Sequence, residues 1–85
     1  MKLSFHTQAW DDYLWWQQND KQMLKRLNAL IRDIERDPFA GTGKPEALKH
    51  NLRGFWSRRI SDEHRIVYQV QEDTLVIAQC RGHYS

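Results

Sequence analysis

Six apolar residues, Met23, Leu24, Leu27, Leu30, Ile31 and Ile34, recur at intervals of three and four along a stretch that is otherwise largely charged or polar. That spacing puts all six on one face of a helix. A helix with a single apolar stripe must bury it, so the rest of the chain has to supply an apolar surface. Asp37-Pro38 ends this helix, because proline disfavours helical geometry in the residue before it. At its other end Asn19-Asp20 breaks it from a preceding helical pattern, Trp10, Tyr13, Leu14 and Gln17, and Asp20 is placed to cap it. Thr7 is the expected N-cap of the first helix, and Asp11-Asp12 lie in its early turns, where carboxylates suit the helix dipole. Two helices joined so tightly form an antiparallel hairpin.

The remainder reads as strand. Lys2 to His6 alternates, with Leu3 and Phe5 facing inward. Three further strands are expected near Phe55–Ser61, Arg65–Gln71 and Thr74–Arg81. The short connections Asp62-Glu63-His64 and Glu72-Asp73 make them an antiparallel meander. Residues 39–46 form a Gly- and Pro-rich loop. Its Gly41-Thr42-Gly43-Lys44 run lacks the P-loop spacing and has no strand before it, so a nucleotide-binding reading is rejected. Leu48 and Leu52 anchor the segment leading to Gly54. Eighty-five residues make one domain, and 40% apolar with 12% aromatic content argues against disorder.

Cys80 is the one cysteine, which excludes a disulfide framework and a thiolate metal site. His6, His50, His64 and His83 make no dense ligand pattern, so no metal or other cofactor is expected. With no signal-like segment and no run long enough to span a bilayer, the chain is expected to be cytosolic.

Charge is unevenly spread. The net value is only +2, yet Lys44 to Arg65 carries six Lys/Arg against three Asp/Glu. A local basic field suits an anionic partner such as nucleic acid. Strand parity sharpens this. If Trp56, Ile60, Ile66, Tyr68 and Val70 face the helices, then Ser57, Arg59, Arg65 and Val67 take the opposite face. With Val76, Ala78 and Cys80 also inward, Arg81 and His83 join Arg59 and Arg65 on a basic platform. Leu75 and Ile77 then point outward, against their apolar character.

These residue types suit metal-free RNA cleavage, in which the substrate's 2′-hydroxyl attacks the adjacent phosphorus. Such a reaction needs a base, an acid for the leaving 5′-oxygen, and cations for the charge that builds on phosphate. Glu46 is a candidate base and His83 a candidate acid. Arg65, with Arg59 and Lys49, supplies cations. Tyr84 and Phe55 offer rings on which an unpaired base can stack. Each has a plainer reading: Glu46 as a solvated loop charge, His83 as an exposed terminal residue, and Arg65 as the structural partner of Asp62 or Glu63.

Nearly the whole chain resembles the YoeB family of ribosome-dependent messenger-RNA interferases, within the RelE/ParE toxin superfamily. The resemblance is carried by Trp10-Asp-Asp-Tyr13, Lys44-Pro-Glu46, Leu48-Lys-His-Asn-Leu52, Gly54-Phe-Trp-Ser-Arg-Arg-Ile60, Glu63-His-Arg65, Val67-Tyr68, Cys80-Arg81 and His83-Tyr84. It implies an α+β fold like that of small microbial ribonucleases. A helix hairpin would pack on a twisted, mainly antiparallel sheet of four to five strands in the order β-α-α-β-β-β. The family's catalytic carboxylate falls on Glu46, its phosphate-binding arginine on Arg65, and its terminal histidine and tyrosine on His83 and Tyr84. Supporting positions fall on Lys49, His50, Arg59 and Glu63.

The resemblance further implies cleavage in the ribosomal A site with a 2′,3′-cyclic phosphate product, and a YefM-like antitoxin whose disordered C-terminal part folds onto the toxin. That pair represses its own operon, so operator DNA is touched only through the antitoxin, and homodimers are implied as well. Two departures stand out. Gly82 occupies a place more often aromatic, which removes a stacking ring or loosens the backbone of His83, and Ser85 extends past the usual terminal tyrosine. A gyrase-inhibiting toxin and a non-catalytic RNA-binding module are alternatives on the same fold.

Overall fold

The computed structural model describes residues 1–83. Strand β1 (Lys2–Phe5) leads into helices α1 (Thr7–Asn19) and α2 (Lys21–Arg36). A two-residue strand β2 (Glu46–Ala47) and a single 3-10 turn (His50–Leu52) follow, then β3 (Trp56–Arg59), β4 (Arg65–Gln71) and β5 (Thr74–Gln79). The sheet order is β1-β5-β4-β3-β2, antiparallel except where β1 lies parallel to β5. This is the expected α+β architecture, with five strands in the sheet, the fifth being the short β2, to which Glu46 belongs and not to the loop before it. No helix among the described residues is long and apolar enough to cross a membrane.

The stripe on α2 behaves as its spacing requires. Leu27, Leu30, Ile31 and Ile34 are buried, and Met23 and Leu24 pack against the same core. Asp20 caps the helix by accepting from the Met23 amide at 3.2 Å. The first helix departs from expectation twice. His6, not Thr7, is its N-cap residue, and no side chain caps it. Its inward face is Ala9, Asp12 and Trp16, while Trp10 stays 47% exposed and stacks on Tyr13. The apolar spacing misleads here because a carboxylate and an indole are drawn inward by the backbone of Cys80, described below.

Register settles the faces of the sheet. Trp56 stands opposite Tyr68, Arg58 opposite Ile66, Ser57 opposite Val67 and Arg59 opposite Arg65. Directly opposed residues share a face, so Arg59 and Arg65 do lie together. In β5 the expected parity is wrong. Val67 pairs with Gln79 but Tyr68 with Ile77, which leaves Ala78 as the extra residue of a bulge. Leu75 and Ile77 therefore face the helices and are fully buried, while Val76 stands with Gln69 on the other face. The bulge flips the parity once more, so Cys80 returns to the core.

Arg58 is the unexpected occupant of the helix side, with its side chain wholly buried. Its Nη1 donates to Asp33 Oδ2 of α2 at 2.7 Å and to the Thr42 carbonyl, its Nη2 to the carbonyls of Asp37 and Ala40, and its Nε to the Tyr68 hydroxyl. Tyr68 in turn donates to the Pro38 carbonyl at 2.7 Å. The loop after α2 is wound round one guanidinium. Gly41 and Gly43 permit this at positive φ, 135° and 81°. A Cβ at Gly41 would collide with the Asp33 carboxylate, and one at Gly43 would lie 2.9 Å from Leu30 and 3.0 Å from the Arg59 carbonyl. The glycines that superficially suggest a phosphate loop thus serve close packing over an ion pair.

Arg58→Met leaves the carbonyls of Asp37, Ala40 and Thr42 without its donors, at about 1–3 kcal/mol for a buried polar group left unsatisfied, so it should clearly lower stability in urea unfolding. Asp33 adds an acid limb. The Thr42 amide, then the Thr42 hydroxyl, Arg58 and Arg36, hold its carboxyl down at about 2 from an ordinary 3.8. A lowered carboxylate stabilises the fold fully above its unfolded value, and that share disappears as pH falls through the folded value. Thermal melts should therefore show a loss between about pH 4 and pH 2 that Asp33→Asn removes.

Candidate active site

On the helix-free face, the middle of the sheet and the chain end enclose a cleft of about 420 Å³ lined by Lys44, Pro45, Glu46, Ser57, Arg59, Arg65 and His83. Each wall has a local cause. Glu46 pairs with Ser57, and Ser57 with Val67, which places the Glu46 carboxylate on the same face as Arg59 and Arg65. The Arg59 amide donates to the Gly43 carbonyl at 2.7 Å, drawing the loop that carries Lys44 against β3. Three cations and a histidine therefore surround one carboxylate in a shared concavity.

Arg65 is held before any ligand arrives. It is only 9% exposed, and its Nη1 donates to the carbonyls of Ser61, Asp62 and His64 at 2.7, 3.1 and 3.2 Å. These bonds fix the guanidinium plane, so the donors that a phosphate requires fall to Nε and Nη2. The plainer sequence reading paired Arg65 with a carboxylate of Asp62 or Glu63. In the fold its Nη1 engages backbone carbonyls instead.

The chain end is positioned from the helix side. Asp12 Oδ2 accepts from the Cys80 amide at 3.0 Å, and Trp16 Nε1 donates to the Cys80 carbonyl at 2.8 Å. Burial pushes the Asp12 carboxyl up, against the lowering effects of the Cys80 amide and Arg81. Gly82 is tied at both polar groups, its amide donating to His64 Nδ1 at 2.8 Å and its carbonyl accepting from the Arg65 amide at 2.9 Å. Its φ of 79° suits glycine.

The expected site residues divide accordingly. Glu46, Arg59, Arg65 and His83 line the cleft, while Lys49 and His50 line an adjoining recess that shares Glu46. Phe55 and Glu63 line neither: Phe55 is half-buried beside its backbone partner Leu48, and Glu63 is exposed in the β3–β4 turn. Arg81 is a correction. It does not join Arg59 and Arg65, because after the bulge it turns toward α1, lies 4.3 Å over the Trp15 ring and sits 3.9 Å from Asp12. Tyr84 and Ser85 lie outside the described residues. Lys44 and Pro45 were not among the expected site residues; the Gly43–Arg59 bond on one side and the Glu46–Ser57 pairing on the other bring them to the cleft.

A family model of the YoeB-like toxin of bacterial type II toxin-antitoxin systems matches residues 5–84. The chain belongs to the YoeB family. It is 61% identical to Toxin YoeB of Escherichia coli K12 over 84 residues, covering 99% of this chain and all of that protein. The solved YoeB/ParE toxin from Agrobacterium tumefaciens superposes with a TM-score of 0.96 at 51% identity, over 99% of this chain and 100% of that one. The YoeB of Staphylococcus aureus, solved as a heterotetrameric complex with YefM and as a dimer, gives a TM-score of 0.91 at 48% identity, over 99% and 98%. The protein is accordingly a toxin of a type II toxin–antitoxin module, in a family of ribosome-dependent messenger-RNA endoribonucleases.

Cys80 provides a check on the wall that carries His83. Burial, followed by the nearby Asp12 charge, pushes its thiol up to about 12. A thiol-reactive disulfide reagent should therefore leave the native protein unmodified at pH 8 and titrate one thiol after denaturation. Rapid labelling of the native chain would mean that α1 does not hold the strand end as described.

Proposed function

We propose that this cleft cleaves messenger RNA in the ribosomal A site by metal-independent acid–base catalysis. The observation that carries the reading is the convergence of Glu46, Arg65 and His83 on one cleft from three separate parts of the chain. Glu46 takes the proton from the 2′-hydroxyl, whose oxygen then attacks the adjacent phosphorus. Arg65, with Arg59 and Lys44 beside it, carries the negative charge that grows on the non-bridging oxygens. His83 gives a proton to the departing 5′-oxygen, and the phosphorus is left in a 2′,3′-cyclic phosphate. Because Arg65 is already anchored by its Nη1 bonds, little reorganisation accompanies the reaction. Tyr84 takes part at the chain end by the family resemblance.

The same basic cleft suits a partner of opposite charge. A YefM-like antitoxin with an acidic, disordered segment would fold over it, covering Arg59 and the adjoining Lys49. Support comes from the Staphylococcus aureus relative, solved in complex with YefM, and its dimer supports homodimer formation in this chain as well. Operator DNA would be reached only through the antitoxin.

Purified translating ribosomes carrying a defined message test the chemistry. Glu46→Ala and His83→Ala should each abolish the cut seen by 5′-end mapping while circular dichroism stays native. Undiminished cleavage in both would reject the acid–base assignment, and gyrase poisoning with intact message would move the protein to another class. Arg65→Ala should cost about 2–4 kcal/mol of transition-state stabilisation, the range for one lost oxyanion donor. Reversing charge at Arg59 or Lys49 should weaken antitoxin binding in calorimetry.

A further inference from the structure

The mechanism above leaves His6, His50 and His64 unused, and His64 is the best connected of the three. His64 ends the β3–β4 turn. Its carbonyl accepts from the amides of Ile60 and Ser61 and from Arg65 Nη1, and its own amide donates to Ser61 Oγ. Its ring meets Trp16 edge-on, with centroids 4.8 Å apart. Its Nδ1 accepts from the Gly82 amide at 2.8 Å. A backbone amide can only donate, so Nδ1 must present a lone pair and the ring proton must sit on Nε2. Gly82 immediately precedes His83, and its carbonyl is held by the amide of Arg65. One residue thus joins the segment carrying the cation to the segment carrying the proton donor.

We propose that His64 is a positioning residue of the cleavage site: through Nδ1 it holds the Gly82 amide and so sets where His83 stands relative to Arg65. Three features support a positional role over plain packing. The bond is made by a single ring nitrogen to a backbone group one residue from the cleft. Gly82 takes a φ of 79°, and both its backbone polar groups are bound, the amide to His64 Nδ1 and the carbonyl to the Arg65 amide. Trp16 meets the same ring while donating to the Cys80 carbonyl, so ring and strand end share one reference point on α1. The inference rests on His83 acting in the cleft.

Two substitutions separate the acceptor from the ring. His64→Asn places a carbonyl oxygen close to where Nδ1 was, whereas His64→Gln carries its carbonyl one methylene further, near the Nε2 position. Both lose the contact with Trp16. With saturating programmed ribosomes, kcat for His64→Asn should stay within about threefold of wild type. His64→Gln should fall about tenfold or more, since small misplacements of a reacting group are costly, and KM should be unchanged in both. Equal kcat values for the two variants, high or low, would overturn the proposal. Nitrogen NMR of the unsubstituted protein gives a check free of folding effects: an unprotonated Nδ1 is expected, and a proton there would overturn it as well. His83→Ala run alongside distinguishes the failures. If it still cleaves, the reading of the cleft is wrong; if it is inactive while Asn and Gln behave alike, only the role of His64 is lost.

Discussion

Arg58 brings a full positive charge to the side of the sheet that faces the helices, where water does not reach it. Such a charge is tolerable only when it is paired and its donors are satisfied. Asp33 supplies the countercharge, and three loop carbonyls with the Tyr68 hydroxyl take the remaining donors. The requirement runs in both directions. Satisfying Arg58 forces the chain after α2 to wrap around it, and the wrapped loop ends at Gly43, whose carbonyl is bonded to Arg59. Glu46 begins its strand a few residues later. The position of the carboxylate in the cleft is therefore a downstream consequence of one buried guanidinium on the opposite face of the sheet.

The other wall is held by the other helix. α1 contributes Asp12 and Trp16, which grip the amide and carbonyl of Cys80. From that fixed point the chain passes Arg81, stacked on Trp15, and reaches Gly82, whose backbone is bound by His64 and Arg65. The helix hairpin does more than cover the sheet. Each helix reaches past the core to anchor one of the irregular segments that meet across the cleft, and β3 and β4 bridge between them with Arg59 and Arg65 in register. A small scaffold is well suited to this, because its walls are only a few residues from the core that fixes them.

How much could be read from residue letters depended on how local the governing interaction is. The α2 stripe was legible because helical periodicity and burial select the same positions. Parity in β3 and β4 was legible because that pair is regular, and it put Arg59 beside Arg65. It failed in β5, where a bulge at Ala78 reverses the faces of the residues before it, and again at Arg81, which lies past the end of the strand, where Trp15 and Asp12 of α1 draw its side chain aside. In α1, apolar spacing pointed to Trp10 and Leu14, while the inward positions are Asp12 and Trp16. Their partner is a backbone group 68 and 64 residues away, respectively, and no periodicity encodes it.

By itself the sequence determined the two helices, the strands of the meander and the sharing of one face by two arginines, and, through resemblance, it supplied the roles proposed for Glu46, Arg65 and His83. Those follow from side-chain types and their spacing along the chain. Tertiary structure decided the two-residue strand under Glu46, the burial of Arg58, the departure of Arg81 and the binding of Gly82 by His64. These depend on hydrogen bonds between segments far apart in sequence. A buried donor or acceptor takes whatever partner the packed fold brings within about 3 Å, and that choice is made only once the sheet has closed on the helices.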